Sequence, residues 1–214
     1  ADVAALLLAG AARGVKVALL YDSVGSIGTD AAFFDRLRAG GVAVCAFNPL
    51  NPVERLGFWG INRRDHRKLL VVDDDWAYTG GINISRVYGS SSFGRRSKAK
   101  EDSANQDGWR DTQIELAGPV VPVLAREFAT AWKDQGCNGA LGAPPPPRTA
   151  TPGQRVVKVL ASDPRDETNR IYTSLIQAIA ASQRSVSLTM AYFAPGDEFV
   201  SALADAARRG VTVE

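Results

Sequence analysis

Residues 65–83 read Asp-His-Arg-Lys-Leu-Leu-Val-Val-Asp-Asp-Asp-Trp-Ala-Tyr-Thr-Gly-Gly-Ile-Asn, and they concentrate the side chains of this chain best suited to chemistry. His66 is the only histidine present; Lys68 follows it by two positions and Asp73 follows Lys68 by five. A neutral imidazole beside a fixed ammonium is suited to attack on an anionic phosphorus centre. The ring nitrogen is the nucleophile, and the ammonium neutralises the non-bridging oxygens as charge builds. Side chains alternate faces along a strand, so His66 and Lys68 project together while Arg67 points away, with Leu70 and Val72 on the histidine face. The same parity puts Asp73 on the opposite face, in a supporting role: holding the Gly80-Gly81 turn through backbone hydrogen bonds. Gly80 and Gly81 allow close backbone approach, and the Asn83 amide can donate to a phosphate oxygen. The imidazole needs a carboxylate to fix its tautomer, and Asp111, opening the strand after Trp109-Arg110, is the candidate.

The elements that must hold this stretch follow from periodicity and punctuation. Val3, Leu6, Leu7 and Ala11 give residues 1–13 a helical rhythm that stops at Arg13-Gly14. Val15 to Tyr21 reads as a mostly buried, parallel-type strand and Val42 to Phe47 as a second strand, around a helix capped by Thr29 or Asp30, with Phe33, Phe34 and Leu37 on its apolar stripe. Asp22 sits where ligand-facing loops of α/β sheets lie, but the turn-residue reading is preferred to a site role. A loop from Asn48 to Asp65 carries Phe58 and Trp59. Arg67 to Val72 and Trp76 to Thr79 then form a hairpin closed by Asp73-Asp74-Asp75, a solvated turn in preference to a metal site. A polar insertion between Arg86 and Asp107 bears Arg95, Arg96, Lys98 and Lys100, a patch for solubility or for docking phosphate groups or an anionic membrane face. Asp111 to Leu116 is a strand, and Pro119 or Pro122 starts a helix whose apolar positions are Val123, Leu124, Phe128 and Trp132.

Pro144 to Pro147 mark residues 135–154 as an extended linker. Beyond it the pattern predicts strands at Val156 to Leu160 and Ser185 to Phe193, helices at Asn169 to Ala181 and Asp197 to Arg209, and a final strand from Val211. Asp197 to Val213 repeats Ala1 to Val17, pairing Arg13-Gly14-Val15 with Arg209-Gly210-Val211. The first copy lacks a preceding strand, and a counterpart of His66 would lie past Glu214. The expected organisation is therefore a first half over 1–134, the linker over 135–154, and over 155–214 the start of a second half of a longer protein.

Bulk properties set outer limits. The 214 residues carry a formal charge of +2 and are 45% hydrophobic, ordinary for a globular protein with a core and too neutral for a nucleic-acid coat. No apolar run approaches the ~20 residues that cross a bilayer. The two cysteines, Cys45 and Cys137, are expected to be free thiols, which fits a reducing compartment. One histidine and two cysteines cannot build a zinc-finger or His-cluster site, so chemistry by histidine and lysine comes first and no cofactor is assigned.

His66-x-Lys68, Asp73 and Gly80-Gly81-x-Asn83 resemble the HxKxxxxD signature of the phospholipase D superfamily. The lead Asn62-Arg63-Arg64-Asp65 and the segment Trp109-Arg110-Asp111-Thr112 to Gly118-Pro119 resemble its bacterial cardiolipin synthase-like branch. The resemblance covers nearly the whole chain. It implies an α/β fold with a mixed, mostly parallel sheet flanked by helices. It also implies metal-free phosphatidyl transfer or phosphodiester hydrolysis through a phosphohistidine. The second histidine comes from another HxKxxxxD motif, in the missing half or in a second chain, and the carboxylate partner of the first is Asp111. The implied substrate is a phospholipid at a membrane surface, placing the protein on the cytoplasmic face of the membrane or in the cytoplasm. A nuclease or other phosphodiesterase of the same superfamily, and an inactive phosphate- or lipid-binding piece, stay open as alternatives.

Overall fold

The computed structural model describes residues 2–49, 64–84, 111–139, 141, 153–162 and 168–214. Several sequence expectations therefore lie outside the described residues. They are Phe58 and Trp59, Asn62-Arg63, the basic group Arg95, Arg96, Lys98 and Lys100, Trp109-Arg110, and Pro144 to Pro147. The chain divides into two compact units, Ala1–Lys158 and Val159–Glu214.

In the first unit, α1 (Val3–Ala12) starts where the Asp2 carboxylate accepts from the Ala4 N–H at 3.0 Å. It ends in a Schellman motif: Val15 N–H donates to Gly10 O at 3.1 Å and Gly14 N–H to Ala11 O at 2.9 Å. This needs a left-handed residue at position 14, and Gly14 takes it with φ +85°. A parallel pair follows, β1 (Ala18–Asp22) and β2 (Ala43–Phe47), in register from Ala18 opposite Ala43 to Asp22 opposite Phe47. Their crossover is α2 (Ala31–Ala39), capped by the Asp30 carboxylate on the Ala32 N–H. The core between them is built on Ala4, Leu37 and Val42, with Leu7, Leu8, Val17, Leu19 and Phe33 packed around it. Burying Leu37 completely contributes about 2–3 kcal/mol relative to exposing it. The stripe expected on α1 is corrected in one position: Leu6 is exposed, and Ala4 is the residue buried against α2.

The motif forms the predicted hairpin. Strands β3 (Leu69–Val72) and β4 (Trp76–Gly80) pair antiparallel with Val72 opposite Trp76, and Asp75 N–H closes the turn on Val72 O at 3.1 Å. Asp73 and Asp74 take positive φ values of 53° and 54°, a conformation aspartate tolerates better than most residues. Strand β5 (Gln113–Ala117) adds to β4, also antiparallel. Helix α3 (Val121–Asp134), with Pro122 in its first turn, packs on β3 and β4 and buries Val121, Leu124, Ala131 and Trp132. The α/β class holds, whereas the mostly parallel sheet does not. Among the described residues there are three separate sheets, and the largest is antiparallel. The reason is local: a connection of three aspartates can reverse a chain but cannot make the dozen-residue crossover that a parallel neighbour needs.

Cys45 and Cys137 are bonded to each other across 92 residues, with their Cα atoms 5.7 Å apart. This corrects the free-thiol expectation and removes the argument for a reducing compartment that rested on it. The bond ties β2 to the end of α3, where Asn48 N–H also donates to Gln135 Oε1 at 2.8 Å.

In the second unit, α4 (Arg170–Ala181) is capped by Asn169, whose side-chain oxygen accepts from Tyr172 N–H. Short strands β6 (Ser185–Val186) and β7 (Thr212–Val213) flank α5 (Asp197–Arg208) and pair in parallel. Ile179, Phe199, Ala206 and Val211 form its core. Two expected strands are cut back. Val156 to Leu160 forms no strand, and only two residues of Ser185 to Phe193 join a ladder, because β7 offers pairing only as far as Leu188 N–H on Glu214 O. The end of α5 reproduces the end of α1, with Val211 N–H on Ala206 O at 3.1 Å, Gly210 N–H on Ala207 O at 2.9 Å and Gly210 at φ +88°. Among the described residues no helix is long and apolar enough to cross a membrane.

Candidate active site

Residues Arg64 to Lys68 lead into β3, and side-chain bonds to residues distant in sequence fasten them to the C-terminal ends of β1 and β2. Arg64 donates to Ser23 Oγ at 3.3 Å and to the Asn48 carbonyl at 3.2 Å. Asp65 N–H donates to Asp22 Oδ2 at 3.2 Å, while Asp22 Oδ1 holds the β1 turn through Gly25 N–H at 2.8 Å. Asp22 is thus both a turn residue and an anchor for the motif. Asp65 accepts from the backbone N–H and Nε of Arg67, both at 2.9 Å, and from its second terminal nitrogen at 2.8 Å. Arg67 also lies 3.6 Å from Glu127 on α3.

The alternation expected of the motif is visible in what its residues touch. Asp65, Arg67 and Leu69 line a cavity of about 70 Å³ shared with Asp22, Phe47 and Phe128, and neither His66 nor Lys68 reaches it. His66 is exposed on the other side, with Leu70 and Val72 exposed along the same face of β3. The Lys68 ammonium donates to the His66 carbonyl at 2.7 Å. Partial burial lowers its pKa from the usual 10.5, and the carboxylates of Asp65 and then Asp111 work against that shift. Lys68 is therefore a cation kept partly out of water beside the histidine, the state in which an ammonium interacts most strongly with a phosphate.

The two glycines are explained by the strand beside them. A β-carbon on Gly81 would collide with Asp111 Oδ1 and lie 2.9 Å from Asp111 Cγ; one on Gly80 would lie 2.6 Å from Gln113 Oε1 and 2.8 Å from Gln113 Cα. Gly81 N–H donates to Thr112 O at 3.1 Å. The glycines thus admit the start of β5, and with it the Asp111 carboxylate, to the end of the hairpin where Lys68 stands. Gly81→Ala should cost about 1–3 kcal/mol through this clash, read as a lower urea midpoint. Gly28→Ala, where an added carbon meets nothing within 4 Å, should leave the midpoint unchanged; equal midpoints for the two variants would refute the close approach.

Lys68 and Asp111 are brought into electrostatic reach, Gly80 and Gly81 seat the segment that carries Asp111, and Asn83 is exposed just beyond. Asp73 stands apart. It occupies the hairpin tip, at the opposite end of the β3–β4 ladder from Gly80-Gly81, so its backbone conformation serves the turn at its own position. Sequence reasoning missed Glu127, the Arg67 pairing with Asp65, and the Asp22 bond to the motif backbone. For Asp22 the place after a parallel strand was the available signal, and for Glu127 there was none.

No family model matches the chain. It is 34% identical to cardiolipin synthase A of Pseudomonas aeruginosa PAO1 over 211 residues, 97% of this chain and 39% of that protein. It is also 34% identical to cardiolipin synthase A of Pseudomonas syringae pv. syringae B728a over 215 residues, 99% of this chain and 41% of the relative. For cardiolipin synthase A of Pseudomonas putida KT2440 the identity is 34% over 214 residues, 97% and 40% of the two chains. Nearly all of this chain is thus similar to cardiolipin synthase A, and it spans about two fifths of those relatives' length.

Proposed function

We propose that the chain belongs to the phospholipase D superfamily and carries one of the two histidine motifs of a cardiolipin synthase-like phosphatidyltransferase. Residues 1–134 are its first half, 135–154 the linker and 155–214 the opening of the second half. The likeness to cardiolipin synthase A supports this, as does the identical Schellman ending of α1 and α5. The observation that supports the chemistry is an exposed His66 whose backbone carbonyl takes the partly desolvated Lys68 ammonium, with Asp111, seated against Gly81, in electrostatic reach of that ammonium.

In this reading a His66 ring nitrogen attacks the phosphorus of a phospholipid diester while Lys68 neutralises its non-bridging oxygens and Asn83 donates to one of them. The P–N bond forms as the P–O bond to the glycerol alcohol breaks. The leaving oxygen takes a proton from the histidine of a second HxKxxxxD motif, in a longer chain or a second copy. An acceptor alcohol, deprotonated by that second histidine, then attacks phosphorus and restores His66. Asp111 fixes the imidazole tautomer, and no metal or cofactor takes part. Work on a phospholipid places the protein at a membrane surface.

An activated diester isolates the first step, because p-nitrophenolate leaves without help from an acid. Mixed with bis(p-nitrophenyl) phosphate, the chain should release a burst of up to one equivalent of p-nitrophenolate and retain an acid-labile phosphorus adduct. Both should vanish in His66→Ala. A burst that survives His66→Ala would sink the assignment of the nucleophile. Competition of the burst by phosphatidylglycerol vesicles but not by single-stranded DNA is expected; the reverse would make the chain a nuclease.

A further inference from the structure

We infer that Arg67 is a positioning residue for His66: locked on Asp65 through its own N–H and guanidinium and tied to Glu127, it fixes the peptide unit that follows the histidine. This rests on His66 being the nucleophile, and adds what aims it. His66 lies between two residues whose backbone N–H groups are both held by carboxylates. Asp65 N–H is held by Asp22 at the end of β1, and the Asp65 carboxylate spans His66 to take the Arg67 N–H, Nε and terminal nitrogen at 2.8–2.9 Å. The Asp65 side chain is only 12% exposed, so its charge stays where Arg67 holds it. Glu127 brings the far side of the guanidinium to α3, a helix already fixed by the Cys45–Cys137 bond. None of these four side chains lies on the histidine's own face.

The chemistry demands arginine. A planar fork can meet both carboxylate oxygens at once, whereas a lysine can only stand near them. The pairing also partitions charge. Two carboxylates, Asp65 and Asp111, act on the Lys68 ammonium, and among the described residues Asp22, Glu127 and Arg64 are further charged groups around the clamp. Asp65 acts on Lys68 with Arg67 in place, and its pull strengthens once the guanidinium paired to it is removed.

The test is the p-nitrophenolate burst across a pH series in Arg67→Gln, Arg67→Lys and the control Arg38→Gln, which removes an exposed pair with Asp35. A misaimed nucleophile predicts a burst rate lower by about 10- to 100-fold in Arg67→Gln, an unchanged half-saturating diester concentration, and an alkaline limb moved to higher pH as Asp65 strengthens its hold on Lys68. Arg67→Lys should restore the position of the limb but not the rate, and Arg38→Gln should change neither. Wild-type rate in Arg67→Lys, or a loss in Arg67→Gln that tracks thermal stability with the limb unmoved, overturns the proposal. If wild-type protein shows no burst, the nucleophile assignment fails instead, and ring relaxation of His66 decides the clamp alone. The single histidine gives one ring signal, which should gain mobility in Arg67→Gln; unchanged relaxation refutes the clamp.

Discussion

Replacing Lys68 by methionine is expected to slow the p-nitrophenolate burst about 100- to 1000-fold without lowering the melting temperature. The rate loss follows from removing the positive charge beside the attacked phosphorus, where partial exclusion of water makes it most effective. The stability result follows from the direction of the pKa shift. Burial lowers the folded-state pKa of Lys68 below 10.5, so between that lowered value and 10.5 the unfolded chain binds more protons and stability rises with pH. At neutral pH the partly buried ammonium is thus a small penalty that methionine removes. The wild-type burst should fall on the alkaline side at a pH below 10.5, and Lys68→Arg, charged to beyond pH 12, should abolish that limb. A Lys68→Met protein with the wild-type burst rate would end the phosphate-neutralising role.

Reducing the Cys45–Cys137 bond should lower stability by about 4 kcal/mol, from the entropy regained by a 92-residue loop in the unfolded chain. For a unit of this size that is a drop of about 10–15 °C in melting temperature. Thermal melts with and without dithiothreitol measure it, and Cys45→Ser with Cys137→Ser should melt like the reduced protein and lose sensitivity to reductant. The effect should extend to the site, because the same end of α3 holds Gln135 on Asn48, and Asn48 O accepts from Arg64 beside the motif. Identical melts under oxidising and reducing conditions, or a stoichiometric reaction of the untreated chain with iodoacetamide, would exclude the bond.

These two experiments fall on opposite sides of what the linear sequence conveys. Lys68 was legible because its information is local. Two-residue alternation puts it beside His66 and away from Arg67, and three aspartates between apolar runs can only be a tight turn, so the hairpin and its exposed face follow from neighbours along the chain. The helix ends at Arg13-Gly14 and Arg209-Gly210 were legible for the same reason: a left-handed residue must follow the last turn, and glycine occupies it. The disulfide was not legible. Cys45 and Cys137 each sit in a segment that satisfies itself locally, and only the packing of α3 beside β2 brings them to bonding distance. Asp111 was named from the need of an imidazole for a carboxylate, but its seat against Gly81 depends on the pairing of β5 with β4. Asp22 and Glu127 reach the motif from the end of β1 and the middle of α3, and no spacing records that meeting. The sequence by itself determined which groups could react and which face they share. The tertiary structure decided what holds them, because a carboxylate or thiol finds its partner only after distant elements have packed.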